Sequence, residues 1–230
     1  YRPIRVYKKG LKRNIAKLAL TRAAVESQTK KIPLAKLSFR AENDNVLRKE
    51  ITDAQKPMAE VGYKMEEIIQ ILVMGEKGRK KLDTPRWKAS FDLAIGRTLA
   101  MYVRAYGYNE TLSQMKSSPQ AFKNKASNQW KLVSSEEIKS GPKMKKQAKK
   151  ATEYLEKVMK EHPGTPWALL AKRELSQPLG WKWKESVNPN ANKNINRNTP
   201  PNQVRLLLAE EERNRRKRRK KGPARKKPLL

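Results

Sequence analysis

Between Trp87 and Met115 the apolar residues Trp87, Phe91, Ala94, Ile95, Thr98, Met101, Tyr102, Ala105, Tyr108, Leu112 and Met115 recur at three- and four-residue steps for about eight turns. A stripe that long and broad predicts one extended helix that must be covered by other elements. The start is marked by Asp83-Thr84-Pro85-Arg86-Trp87: a capping threonine, a first-position proline and an early tryptophan. Gly107 is a weak helix former inside it.

The device recurs. Ala148, Ala151, Leu155, Val158 and Met159 share a helical face, and Trp167, Ala168, Ala171 and Leu175 form a second stripe. His162-Pro163-Gly164-Thr165-Pro166 between them stops one helix and caps the next. Two striped helices joined by so short a turn predict an αα-hairpin. Upstream, Val46, Leu47, Ile51 and Ala54 form one face, and Met58, Val61, Met65, Ile68, Ile69, Leu72 and Val73 resume it after Pro57. A bend is expected near Gln55–Pro57, with Gly75 and Gly78 ending the run as C-terminal glycines do. Helix 58–74 is the natural antiparallel partner of the long helix. Two restarts at Thr-Pro before Trp suggest a degenerate internal repeat.

The remaining segments are less regular. Leu11, Ile15, Leu18, Ala19, Arg22 and Val25 predict an N-terminal helix with basic flanks, docked on the body or lying on an anionic surface. Residues 30–41 alternate around Pro33 and point to extended chain. Residues 117–143, rich in Ser, Lys, Asn and Pro, predict a linker or insertion pinned at Trp130. In the 181–184 segment Trp181 and Trp183 alternate with lysines. If extended, it aims both indoles to one side, over the helical body.

The expected class is therefore all-α, with helical hairpins packed as a compact bundle or short irregular solenoid. The expected organisation is a basic arm over 1–41, a helical domain over 42–185, and a disordered basic tail over 186–230. Thr84, Pro85, Trp87, Phe91, Thr165, Pro166, Trp167, Trp181 and Trp183 are its structural core and hairpin residues.

Charge bears on function. The 230 residues carry a formal net charge of +32, with 33% charged and 37% hydrophobic residues. Residues 1–40 hold 12 Lys/Arg and one Glu, and residues 186–230 hold 14 and three. The ends are thus basic arms on a moderately basic body. Arg213, Arg215, Arg216, Lys217, Arg218, Arg219, Lys220, Lys221, Arg225, Lys226 and Lys227 are the expected polyanion-binding residues, acting through counterion release. DNA, RNA, anionic lipid and acidic protein all fit such a cluster.

No catalytic, cofactor or metal residues are assigned. There are no cysteines and a single histidine, His162, in a turn. LAIGRTLA lies inside a helix and lacks P-loop spacing. Asp92 and Glu66/Glu67 read as ion-pair carboxylates, Asp92 with Arg97, Arg104 or Lys64. The aromatic residues Trp87, Phe91, Tyr102, Tyr106 and Tyr108 read as core, with a ligand groove or peptide-binding face as the lesser reading. No apolar run approaches the roughly 18–20 residues that span a bilayer. A start without methionine suggests a processed product or part of a longer chain.

Three stretches, LSFRAENDNVLRKEITDAQKPMAE, TPRWKASFDLAIGRTLAMYVRAYGYNETLSQMK and EHPGTPWALLAKRELSQPLGWKWKE, resemble the region following the von Willebrand A-type domain in a group of planctomycete proteins. The metal-binding Asp-x-Ser-x-Ser of that domain is absent from this chain, so the resemblance implies no metal site. Residues 148–176 are locally similar to a tetratricopeptide-type hairpin, in a single clear copy without the first-helix signature.

The functional expectation is a non-enzymatic helical interaction or scaffold module of a larger assembly, with protein partners and basic arms that hold a polyanion. A nucleic-acid-binding protein of ribonucleoprotein type is the alternative. A third is a cell-envelope protein contacting anionic lipid or wall polymer. Cytoplasmic and bacterial periplasmic or envelope locations remain open.

Overall fold

A computed structural model describes residues 3–28 and 32–189, and the helices and strands it contains form one unit. The fold is mostly α, with a small sheet. The helices are α1 (Ile4–Lys12), α2 (Ile15–Gln28), α3 (Asp44–Gly75), α4 (Pro85–Ser117), α5 (Gly141–Glu161) and α6 (Pro166–Leu175). A 3-10 segment, Glu76–Lys81, follows α3. The strands are β1 (Ser38–Arg40), β2 (Gln129–Ser135) and β3 (Gly180–Ser186).

The long stripe becomes α4, the central element. Both restarts form caps. Thr84 Oγ1 accepts from the Trp87 N–H at 3.4 Å, and Thr165 Oγ1 from the Ala168 N–H at 3.3 Å, each followed by proline at the first helical position. Loss of such a cap costs about 1 kcal/mol. Thr165→Ala is expected to lower stability by about that amount in urea unfolding, with Thr165→Asn nearly neutral.

α3 packs antiparallel on α4. Gln55 Nε2 donates to the Asn109 carbonyl at 3.2 Å near one end, while Gly75 lies against Phe91 at the other. α3 runs as a single helix through Pro57, since a proline removes one backbone donor without ending a helix that packing supports. Gly75 and Gly78 do not act as left-handed caps. A β-carbon on Gly75 would sit 2.6 Å from Ala19 Cβ, and one on Gly78 would sit 2.5 Å from Ile15 Cγ2. They are small because α2 crosses there.

α2 buries Ala16, Ala19 and Ala23, while Ile15 and Val25 stay exposed. The pattern of large apolar residues misplaces this face, because close helix approach selects alanine. Within 1–41, α2 accordingly lies in the main core cluster and β1 belongs to the sheet.

The sheet is the main departure from an all-α body. Its order is β1-β2-β3, antiparallel throughout, with Phe39 opposite Trp130 and Leu132 opposite Trp183. Residues 117–143 are pinned at Trp130 and include the central strand, Gln129–Ser135, because Trp130 and Leu132 alternate inward and bury. Trp181 and Trp183 do point one way. The Trp181 Nε1–H donates to the Arg104 carbonyl at 2.9 Å and the Trp183 Nε1–H to the Thr111 carbonyl at 3.3 Å, so the sheet is stapled to α4. Gly107 makes room: a β-carbon there would lie 3.5 Å from Trp181 Cδ1 and 3.0 Å from Ser140 Oγ.

α5 runs antiparallel to α4, with Ser140 near Gly107 and Lys157 near Asp92. α6 folds back on α5 through Leu155, Val158 and Ala171, and the Trp167 Nε1–H donates to Ser90 Oγ at 3.0 Å.

Candidate polyanion interface

The eleven tail cations from Arg213 to Lys227 lie outside the described residues. The body has basic surfaces of its own.

Strand alternation builds the first of these. With Trp181 and Trp183 turned inward, Lys182 and Lys184 must turn outward, and both are exposed. The register sets Lys184 directly opposite Lys131 of the central strand and Lys182 opposite Val133. Lys131 is exposed as well, and none of the three lysines has an acidic partner among the described residues. Glu185 faces the other side, where its carboxylate accepts from the Lys123 N–H at 2.7 Å and the Asn124 N–H at 3.0 Å. Those backbone bonds hold its pKa below the usual carboxylate value and organise the loop before β2.

Like charges directly opposed across a strand pair are destabilising. Lysines on an edge strand discourage edge-to-edge association, which accounts for Lys182 and Lys184. It does not account for Lys131, which lies on the central strand.

The second surface is the first half of α5. The burial of Met144, Ala148 and Ala151 turns Lys143, Lys145, Lys146, Lys149 and Lys150 outward, all exposed and with no acidic partner among the described residues. Ser140, just before α5, and Trp181, at the start of β3, both flank Gly107. The α5 ridge therefore begins beside the sheet.

Several other basic residues are paired with carboxylates, and these pairs fix the body. Asp92 is fully buried; Arg79 Nε donates to its two oxygens at 3.2 and 3.1 Å, and Lys157 Nζ lies 3.6 Å away. The expected partners Arg97, Arg104 and Lys64 are all engaged elsewhere. Arg97 Nε meets Glu174 at 3.2 Å, and Arg104 meets Glu174 while donating to the Pro178 and Gln177 carbonyls. Lys64 bridges Glu26 at 2.6 Å and Glu67 at 3.2 Å. Hairpin geometry decides this, since Arg79 sits on the turn that carries it back over Asp92. Arg79 also reaches Glu161 at 2.5 Å, and the Tyr154 hydroxyl bonds Glu76, so the cluster ties the α3–α4 turn to α5. Burial, then the Glu76 contact, pushes the Tyr154 phenol well up.

His162 is buried at the end of α5. Its Nε2 has no hydrogen-bond partner among the described residues and lies 4.0 Å from Glu161. Among the described residues no group of three or more His, Asp or Glu side chains could hold a metal ion, and no helix is long and apolar enough to cross a membrane.

No protein-family model matches this chain, and comparison with curated proteins and with solved structures found no similar one.

The Trp-Lys alternation over 181–184 foretells the outward lysines of β3. Their pairing with Lys131 had no local signal, because about fifty residues separate the two strands.

Proposed function

We propose that this chain is a non-enzymatic helical interaction module that holds a polyanionic partner, with the sheet lysines and the α5 ridge forming part of the contact surface. The observation that supports the reading best is Lys131 opposite Lys184 on an exposed strand pair, with no carboxylate turned to that side of β2 or β3. An array of unneutralised cations is relieved by an anion that spans them, and bound counterions released on contact supply the driving force. The tail cations add to the same attraction.

Single-stranded nucleic acid is the polyanion with which to test it. Replacing Lys131, Lys182 and Lys184 by serine is expected to weaken binding of a 20-nucleotide oligomer at least about tenfold at 0.1 M salt. Fluorescence anisotropy reads the change. Binding unaltered by K131S/K182S/K184S would remove the sheet from the contact surface.

A further inference from the structure

On the α3–α4 hairpin lies a groove of about 350 Å³ with the opposite electrostatic character. Its walls include Tyr63, Tyr102, Tyr106, Glu66, Glu110 and Asn109, and among the described residues no Lys or Arg lines it. In a chain of net charge +32 that is a local inversion of sign.

Glu66 is half-buried and has no ion-pair partner among the described residues. Burial, then the charge of Glu66, raises the Tyr102 pKa, so its phenol stays protonated beside that carboxylate. Tyr63 and Tyr106 are 71% and 44% exposed, far more than aromatic rings that serve only as core. Tyr102 and Tyr106 sit with centroids 6.3 Å apart, tilted at 45°. Asn109 Oδ1, at the groove wall, is buried and accepts no hydrogen bond among the described residues.

We propose that this groove is a docking site for a lysine- or arginine-bearing peptide segment of a partner protein, its cationic side chain lodged between the tyrosine faces and Glu66. Cations are attracted to tyrosine faces and to the carboxylates. The lining runs from Gln55 to Glu66 along α3, about 16 Å at the helical rise, room for about five extended residues. Screening over about 8 Å at physiological salt keeps the distant positive charge from cancelling the local field. The proposal does not depend on polyanion binding elsewhere.

The test uses the full chain, the fluorescein-labelled peptide GKRKG and the E66Q/E110Q and Y106A variants. Wild-type protein is expected to bind the peptide, E66Q/E110Q to bind it at least about tenfold more weakly, and Y106A about threefold more weakly. K131S/K182S/K184S should keep peptide binding, and E66Q/E110Q should keep oligonucleotide affinity within about threefold, so failure of one site is separable from failure of the other. Absence of wild-type binding, or equal binding by E66Q/E110Q, overturns the proposal. Displacement of the peptide by spermidine at equal concentration overturns the peptide as occupant and leaves a small-amine site.

Discussion

Asp92→Ala is expected to destabilise the protein by about 3–5 kcal/mol, the usual cost of removing one partner from a buried ion pair. The side chain is fully buried, and its two oxygens accept from Arg79 Nε and, at Oδ2, also from Nη2. Without them the Arg79 guanidinium, itself only 16% exposed, keeps Glu161 alone. The α3–α4 turn and the end of α5 should loosen together, since Arg79 joins them. Urea unfolding measures the loss. Asp92→Leu combined with Arg79→Met should recover most of it, because no fully buried charge is then left unpaired: Glu161 and Lys157 lose these partners but are partly exposed. A cost below about 1 kcal/mol for Asp92→Ala would mean that the cluster does not hold the hairpins together.

The same cluster gives a pH dependence. Burial alone would raise the Glu161 pKa, but its hydrogen bond and attraction to Arg79 bring it below the ordinary 4.5. Glu50 behaves likewise beside Lys36 and Arg40. A depressed folded-state pKa means that the unfolded chain takes up the proton first as the pH falls. The stabilisation is therefore complete above about pH 5 and is lost as the pH falls through the folded-state values. Thermal unfolding between pH 7 and 3 should show a falling midpoint below about pH 5, with a smaller fall in Glu161→Gln.

Trp183→Ala carries the second large effect, about 3–5 kcal/mol. The indole packs edge-on against Phe39 at 5.2 Å and Trp130 at 6.4 Å, and its N–H satisfies the Thr111 carbonyl. Its loss empties the space between the sheet and α4. Trp183→Phe restores most of the volume and should cost less than half as much. Differential scanning calorimetry separates the two. Because the lysines lie on the opposite face, Trp183→Phe should leave oligonucleotide affinity unchanged.

The helices were readable because each is long, striped and capped by neighbouring residues: Thr84-Pro85 and Thr165-Pro166 announce α4 and α6 within four residues of chain. The ion pairs were only half readable. Asp92 is a structural carboxylate, but the turn that returns Arg79 to it has no helical period to betray it. The sheet was hidden for another reason. β1 is three residues long, and its partners lie far along the chain, so no local pattern distinguishes β2 from a linker with one buried tryptophan. For the candidate interface, the tail cations are visible by count alone, whereas the opposition of Lys131 and Lys184 exists only once the strands pair. The groove tyrosines read as core because a helical stripe cannot separate a ring that is covered from one that lines a cleft.

The most direct measurement is the salt dependence of oligonucleotide binding by the protein in which all eleven tail cations from Arg213 to Lys227 are replaced by serine. If the body supplies a polyanion surface, a plot of log affinity against log salt keeps a slope of at least about −2. Adding K131S/K182S/K184S then lowers its magnitude by about 2, at about 0.7 per phosphate contact on a single strand. A slope of zero in the tail variant, or one that the three sheet substitutions leave unchanged, would contradict the assignment of that surface to the partner.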